Sequence, residues 1–179
     1  MVIRPLSQGD RGEWARLRQA LWPDDLAAHL QMVDRWLAGD PTDVVAVFGL
    51  DRQNGQLGGF VELNIRNYAE GSEATQVPYV EGWYVDPDLR GQGYGKQLMQ
   101  AAERWAIAQG FGELASDTEI DNEHSIAAHW ALGFEETDRI VCFLKKLDGP
   151  NLNSPNLNSP NLNSPNLNSP NLDGLNSNA

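Results

Sequence analysis

The sequence has few of the residues that build disulfide frameworks, metal sites and membrane spans. Its single cysteine, Cys142, excludes an internal disulfide bond and favours a reducing compartment, for which we expect the cytoplasm. Cys142 lies in an apolar run, which predicts a buried structural thiol rather than a nucleophile. Only three histidines are present, and no His/Cys cluster has the spacing of metal ligands, so we expect no metal. No apolar run approaches the length of a bilayer span and no signal-peptide core opens the chain, so we expect no membrane partner.

Positive charge is also scarce. Lys and Arg number 13 against 25 Asp and Glu, which gives a formal net charge of −12. Nucleic acids and anionic lipid surfaces are repelled by such a protein, so we expect no nucleic-acid partner and favour cationic ones. The alternative is that the acidic balance serves solubility alone.

Composition divides the 179 residues into one domain and a tail. Residues 1–149 have the length of a single domain with one well-buried core. From Asn151 to Pro170 the pentapeptide Asn-Leu-Asn-Ser-Pro occurs four times in succession. A proline every five residues builds neither a helix nor a central strand, so we expect residues 150–179 to be a flexible or non-native tail.

The sequence is organised around the stretch from Pro78 to Gly110. An aromatic and β-branched run predicts a strand to Val85, and an apolar stripe predicts a helix over 94–109. Arg-Gly-Gln-Gly-Tyr-Gly lies between them, at 90–95. A glycine-rich turn that opens into a helix directs several unpaired backbone N–H groups and the helix dipole at one spot, which favours a phosphate. The spacing fits neither a P-loop nor a dinucleotide fingerprint, because Lys96 stands where the third glycine of the latter belongs.

The remaining segments predict an α/β protein in the order β-α-α-β-β-β-α-β-α-β. A short strand opens the chain, two helices follow, and Gln53-Asn54-Gly55 joins the next two strands as a hairpin. A helix over 122–132 and a last strand over 134–147 close the pattern. We therefore predict a mixed central sheet flanked by helices.

One family combines this element order with this loop. Arg90-x-x-Gly93-x-Gly95 after a strand and Asp-Pro resembles the acyl-CoA loop of the GNAT superfamily of N-acetyltransferases, and Gly133-Phe134 matches that superfamily's Gly-Phe. The resemblance implies the GNAT fold, acetyl-CoA as cosubstrate and a homodimer.

Glu81 is the one carboxylate inside the strand that precedes the loop. Burial of an unpartnered carboxylate is costly, so the residues predict that Glu81 points into a polar cleft. The alternatives are an exposed edge or a buried ion pair. Gly82 beside it permits a bulge that would make room for a ligand.

Four segments narrow the resemblance to the aminoglycoside 6'-N-acetyltransferases: residues 21–24 (LWPD), 80–82 (VEG), 115–118 (ASDT) and 131–137 (ALGFEET). It implies a drug site lined by Trp22, Tyr68, Glu81, Asp117 and Asp138. It also implies acetyl-CoA contacts from Tyr84, Val85, Asp86, Gln92, Gly93, Tyr94, Gly95, Lys96, Gln97 and Asn122.

The resemblance implies an aminoglycoside 6'-amine as the acceptor, and the residues favour direct acetyl transfer to it with Glu81 as the proton acceptor. Many superfamily members place a tyrosine acid four residues before the Gly-Phe glycine, and here that position is His129. His129 is therefore the candidate acid, although a lone helical histidine is more often a packing or surface residue. Two alternative functions stay open: acetylation of another cationic amine, such as a polyamine or a protein amine, and non-catalytic sensing of acyl-CoA.

Overall fold

The computed structural model describes residues 1–40 and 42–146. Its strands and helices, in chain order, are β1 (Val2–Pro5), α1 (Arg11–Leu21), α2 (Leu26–Ala38), β2 (Ala46–Asp51), β3 (Leu57–Arg66), β4 (Val77–Val85), α3 (Tyr94–Ala108), β5 (Ala115–Ser116) and α4 (Glu123–Ala131). Two short 3-10 turns, Gln8–Asp10 and Pro87–Leu89, precede α1 and α3. Among these helices none is long and apolar enough to cross a bilayer.

The five strands form one mixed sheet in the order β1-β2-β3-β4-β5. The first four run antiparallel, and β5 pairs parallel with β4. That last pairing covers two positions, Tyr79 with Ala115 and Val80 with Ser116. Beyond Val80, β4 therefore pairs with β3 alone, and its other edge faces no strand of the described chain.

Helices cover both faces of the sheet and divide the core into two layers. Because successive strand residues point to opposite faces, Phe60 packs with Trp14 and Leu17 of α1, whereas Val61 packs with Leu98 of α3. The seven residues from Leu57 to Leu63 are all buried, as expected of a strand covered on both sides.

The predicted α/β architecture and the GNAT element order are confirmed through α4. The last predicted strand, over 134–147, is wrong: residues 134–146 form neither helix nor strand, and Leu147 lies outside the described residues. An apolar run becomes a strand only where another strand pairs with it. The prediction of a buried Cys142 is wrong for the same reason, since the thiol is exposed. The predicted tail, 150–179, lies outside the described residues.

Candidate functional site

The glycine-rich turn lies where β4 gives way to α3. Gly91 and Gly93 have φ angles of +73° and +82°, in the left-handed region that favours glycine, and a Cβ on either would meet no atom within 4 Å. Gly93 is the N-cap of α3, so the first N–H groups of that helix have no helical acceptor. The turn is thus an open cradle of backbone donors at the positive end of a helix, which suits a phosphate group. Gln92, Lys96 and Gln97 are exposed beside it.

Three side chains hold this turn in shape. Arg90 Nε donates to the carbonyl of Val85 at 2.9 Å, and Gln92 Nε2 donates to the carbonyl of Asp88 at 2.9 Å. Trp83 Nε1 donates to the carbonyl of Gly95 at 3.2 Å, and a Cβ on Gly95 would lie 3.0 Å from the same indole ring. The cradle is therefore fixed to β4 at both of its ends.

Two of the residues predicted to contact the cofactor have their side chains committed elsewhere. The buried carboxylate of Asp86 accepts from Arg16 and Arg52, with the closest contact to each at 3.1 Å. Asn122 Oδ1 accepts from Ser125 N at 3.1 Å and so caps α4. The backbone of Asp86 is bonded as well, because its N–H donates to the carbonyl of Gly58 at 2.8 Å and its carbonyl accepts from Leu89 N at 2.9 Å.

A β-bulge in β4 sets the position of Glu81. Glu62 on β3 stands opposite Gly82, whereas the next residue, Leu63, stands opposite Val80. Glu81 is the extra residue of the bulge, as the neighbouring glycine predicted. The bulge lies immediately after the last pair that β4 forms with β5, so β4 is distorted at the point where the sheet divides.

A cavity of about 430 Å³ opens beside this bulge. Its lining comes from α1, α2, the segment before β2, and strands β3 and β4: Arg18, Trp22, Met32, Arg35, Thr42, Asp43, Val44, Glu62 and Glu81. Two residues predicted for the drug site, Trp22 and Glu81, are thus brought together. The Trp22 ring packs edge-on against Phe60, with centroids 6.3 Å apart, and the Arg18 guanidinium lies 4.7 Å from the Trp22 ring centroid.

Glu81 both lines the cavity and takes part in an ion pair. Arg66 donates to its two oxygens at 2.8 and 2.6 Å, and Asn64 donates to Oε1 at 3.1 Å. The Glu81 side chain keeps 22% of its surface exposed. The cleft and the ion pair, which the sequence offered as alternatives, therefore occur together.

Asp117 reaches the same region through Tyr79. Burial raises the pKa of Tyr79 well above its usual value, and the negative charge of Asp117 adds to this effect. The Arg66 guanidinium stacks over the Tyr79 ring, 3.5 Å from its centroid. Arg66 and Tyr79 thus link Glu81 on β4 to Asp117 after β5.

Tyr68 and Asp138 lie outside the cavity lining. Tyr68 is 64% exposed in the segment between β3 and β4, and Asp138 is exposed in the segment after α4. The two segments meet, because a Cβ on Gly71 would lie 2.5 Å from the Thr137 methyl group. The structure does not bring either side chain to Glu81.

His129 is held on the opposite face of the sheet from the cavity. Its Nδ1 lies 2.7 Å from the carbonyl of Ser125, which can only accept, so Nδ1 carries a proton. Its Nε2 lies 2.9 Å from the Ser116 hydroxyl, at the end of the β4–β5 pairing. The ring also makes edge contacts with Trp83 and Phe134, at centroid distances of 5.5 and 5.1 Å. His129 is therefore packed, as expected of a helical histidine. Its Nε2 also lies at the point where β4 and β5 separate, which we call the fork.

Glu62, a buried residue of the cavity lining, was not predicted as a site residue from the sequence. Its side chain is 1% exposed and accepts from Trp14 Nε1 at 2.5 Å and from Arg18. Burial raises the pKa of Glu62, against the opposing effect of Arg18. The signal that singled out Glu81, a lone carboxylate inside an apolar strand, was equally present at Glu62 in Gly-Phe-Val-Glu-Leu.

One mixed sheet covered by helices on both faces, with an open glycine turn between β4 and α3, is the architecture of an N-acetyltransferase. The sequence profile described as the acetyltransferase (GNAT) family matches residues 12–134, and the chain belongs to this family. Its relatives define a narrower group. It is 40% identical over 147 residues to the aminoglycoside N(6')-acetyltransferase type 1 of Klebsiella aerogenes, an alignment that covers 82% of this chain and 97% of the relative.

Solved structures agree with these relatives. The apo crystal structure of aminoglycoside 6'-N-acetyltransferase AAC(6')-IG from Acinetobacter haemolyticus matches with a TM-score of 0.74 and 37% identity, over 83% of this chain and all of that one. AAC(6')-Iy in complex with the bisubstrate analogue CoA-S-monomethyl-acetylneamine matches with a TM-score of 0.74 and 36% identity, over 82% of this chain and 98% of that one.

Proposed function

We propose that this chain transfers the acetyl group of acetyl-CoA to the 6'-amine of aminoglycoside antibiotics and so confers resistance to them. The observation that carries the proposal is the position of two sites along β4. The first is Glu81 with the cavity beside the bulge, and the second is the glycine turn that follows the C-terminal end of the strand. At about 3.3 Å per residue, Glu81 is about 13 Å along β4 from Val85. That separation suits a donor with a phosphate at one end and a thioester at the other. The names of the chain's relatives support the same reaction.

The residues at the turn fit the cosubstrate. The backbone N–H groups of residues 93–96 hold the pyrophosphate, and the absence of Cβ atoms at Gly91 and Gly93 lets it approach. Lys96 adds a positive charge beside it. Tyr84 and Val85 lie on the unpaired edge of β4, and Asp86 follows directly after them. When bound, acetyl-CoA supplies an acetyl group activated as a thioester.

The residues at the cavity fit a polycationic acceptor. Trp22 offers an aromatic wall, and Glu81 takes the proton that the attacking amine loses, directly or through a water, because an ammonium has no lone pair for attack. Asp117 binds a second ammonium of the substrate. Tyr68 and Asp138 lie farther out, where they contact the rest of the drug, and Asn122 contacts the cosubstrate from the start of α4.

His129 is the proposed acid for the departing thiol. Its Nδ1 proton is fixed on the Ser125 carbonyl, so a second proton is carried on Nε2, toward the fork between β4 and β5. An imidazolium with this arrangement gives its Nε2 proton to the thiolate and returns to the neutral form.

The quaternary state and location are also proposals. Large apolar side chains such as Ile120 and Trp130 are 64% and 55% exposed, which supports a homodimer that covers them. The exposed free thiol of Cys142 supports a reducing cytoplasm.

The experiment that tests the function is release of free thiol from acetyl-CoA in the presence of different amines. Purified protein is supplied in parallel with an aminoglycoside, a polyamine, a lysine-containing peptide and no acceptor. We expect aminoglycoside-dependent release well above the other three. Equal or greater release with a polyamine or peptide would assign another amine acetyltransferase, and binding of acetyl-CoA with no release at all would assign a sensor.

A further inference from the structure

Arg66 holds Glu81 by a two-point contact. Its Nε donates to Oε1 at 2.8 Å and its Nη2 donates to Oε2 at 2.6 Å, while Asn64 Nδ2 donates to Oε1 at 3.1 Å. A guanidinium that meets a carboxylate in this forked manner fixes the plane of the carboxylate as well as its position. The bulge alone would leave the Glu81 side chain free to rotate, so its orientation is set by β3.

The hydrogen bonds leave Glu81 a single acceptor position. An ionised carboxylate has about four lone-pair positions, two on each oxygen. Oε1 accepts from Arg66 and from Asn64, so both of its positions are filled. Oε2 accepts from Arg66 alone, and its second position remains for a donor in the cavity.

Arg66 is itself fixed from two further sides. Its guanidinium stacks on the Tyr79 ring at 3.5 Å, and Tyr79 is 2% exposed. Asp117 adds an attractive charge. The Arg66 guanidinium thus has two hydrogen bonds to Glu81, a stacking contact with Tyr79 and a second carboxylate nearby, so it belongs to the site. These contacts hold the guanidinium of Arg66 against Glu81.

We propose that Arg66 is a positioning residue that gives Glu81 one acceptor point for the reacting amine and, by its charge, favours the neutral form of that amine. This rests on the proposed function. Two donors on one carboxylate oxygen lie about 4–5 Å apart, so an amine on Oε2 is within that distance of Arg66 Nη2. A like charge so near lowers the pKa of an ammonium and promotes loss of the proton, which passes from nitrogen to Oε2, directly or through a water, and from there to the solvent.

Other charged and titratable groups also face this point and are the same residues in every variant compared. They are Glu62, Tyr79, Asp117, Arg18, Arg35 and Asp43. The effect of Arg66 on the pH profile is therefore taken as the difference between the wild type and the Arg66 variants, since all of them contain these other groups.

The test compares Arg66→Gln and Arg66→Lys with the wild-type enzyme across pH. Loss of the cation raises the pKa of the bound amine, so the acid limb of kcat moves to higher pH in Arg66→Gln, by about one unit. A shift of that size lowers kcat about tenfold on the acid side. Arg66→Lys keeps the positive charge but loses the two-point contact with Glu81. The acid limb of its kcat–pH profile should therefore match that of the wild type, while its maximal kcat should stay lower. The KM for acetyl-CoA stays the same in all three.

Arg11→Gln is the matched control, because Arg11 pairs with Asp34 through a similar contact on the exposed side of α1 and α2. Its pH profile should coincide with that of the wild type. If the Arg66→Gln profile also coincides with the wild type, the inference is overturned. It is equally overturned if Arg66→Gln lowers the aminoglycoside KM with kcat unchanged, since Arg66 would then compete with the substrate.

A calorimetric measurement separates this inference from the proposed function. Binding of an aminoglycoside to the enzyme–CoA complex is measured in two buffers of different ionisation enthalpy, which counts the protons released. We expect fewer protons released by Arg66→Gln than by the wild type. If the wild type releases more protons than Arg66→Gln but transfers no acetyl group, only the proposed function is contradicted. If both enzymes are active and release equal numbers of protons, only the role of Arg66 is contradicted.

Discussion

The ring of Trp22 lies directly over Gly82, so that a Cβ on this glycine would come within 2.5 Å of Trp22 Cη2. The same Cβ would lie 3.3 Å from the Phe60 ring. The aromatic wall of the cavity therefore depends on a missing side chain in β4, one residue beyond Glu81.

Gly82→Ala should displace Trp22 from the cavity wall. Because the alanine methyl takes the space of the indole edge, we expect the aminoglycoside KM to rise roughly tenfold, the loss of a contact of about 1.4 kcal/mol. Acetyl-CoA affinity should stay the same. Gly112→Ala is the control, since a Cβ there meets nothing within 4 Å. An unchanged aminoglycoside KM in Gly82→Ala would remove Trp22 from the acceptor site.

Gly93→Val tests the phosphate cradle. A β-branched residue is strained at a φ of +82° and narrows the approach to the backbone donors, so acetyl-CoA binding should weaken at least tenfold in calorimetry. Gly110→Val carries equal strain at the other end of α3, where φ is +89°. Both variants should lose comparable thermal stability, but Gly110→Val should bind acetyl-CoA normally. Equal binding by the two would mean that the turn does not hold the cosubstrate.

Glu81 and Asp117 should separate in kinetics. Glu81→Gln keeps the shape of the side chain and removes its basicity, so kcat should fall strongly at neutral pH while acetyl-CoA affinity holds. Asp117→Asn should mainly raise the aminoglycoside KM, roughly tenfold to a hundredfold for a partly shielded charge contact. Small and equal effects from both across the pH range would withdraw the assignment of Glu81 as proton acceptor.

Asp10 should make stability depend on pH in acid. Arg4 donates to both of its oxygens, at 2.8 and 2.7 Å, and chiefly for this reason the pKa of Asp10 is lowered to about 2. A carboxylate with a depressed folded-state pKa stabilises the fold above its unfolded pKa, near 4. That contribution, about 2 kcal/mol, is lost as pH falls from about 4 to about 2.

Urea unfolding between pH 6 and pH 2.5 checks this expectation. Asp10→Asn should show a flatter dependence on pH in the acid range than the wild type. Asp34→Asn is the control, because Asp34 is an exposed partner of Arg11. Parallel curves for the wild type and Asp10→Asn would contradict the assignment.

The elements with strong periodicity were predictable from the sequence. The stripe of Leu98, Ala101 and Ala102 predicted α3, and all three residues are buried in it. Gly82 predicted the bulge, because a glycine inside an apolar strand marks a distortion of this kind. Local pattern was sufficient in these cases because each feature is decided within a few residues.

Features that depend on distant partners were not predictable. Arg66 on β3 reads as the end of a strand, and nothing in its neighbours indicates that its guanidinium reaches Glu81 on β4. The apolar run around Val141 and Phe143 predicts a strand by pattern, yet pattern does not say whether a sheet edge will pair with it. Both residues are instead exposed, at 77% and 92%.

The most direct test of the account is a pair of aminoglycosides that differ only in carrying an amine or a hydroxyl at the 6' position. Acetyl-CoA-dependent turnover is measured for each, and the product is located by NMR. We predict turnover with the 6'-amine compound, a single acetyl group on that nitrogen, and no turnover with its 6'-hydroxyl counterpart. Comparable turnover of the two, or an acetyl group on any other nitrogen, would contradict the assignment of the cavity at Glu81 as a 6'-amine site.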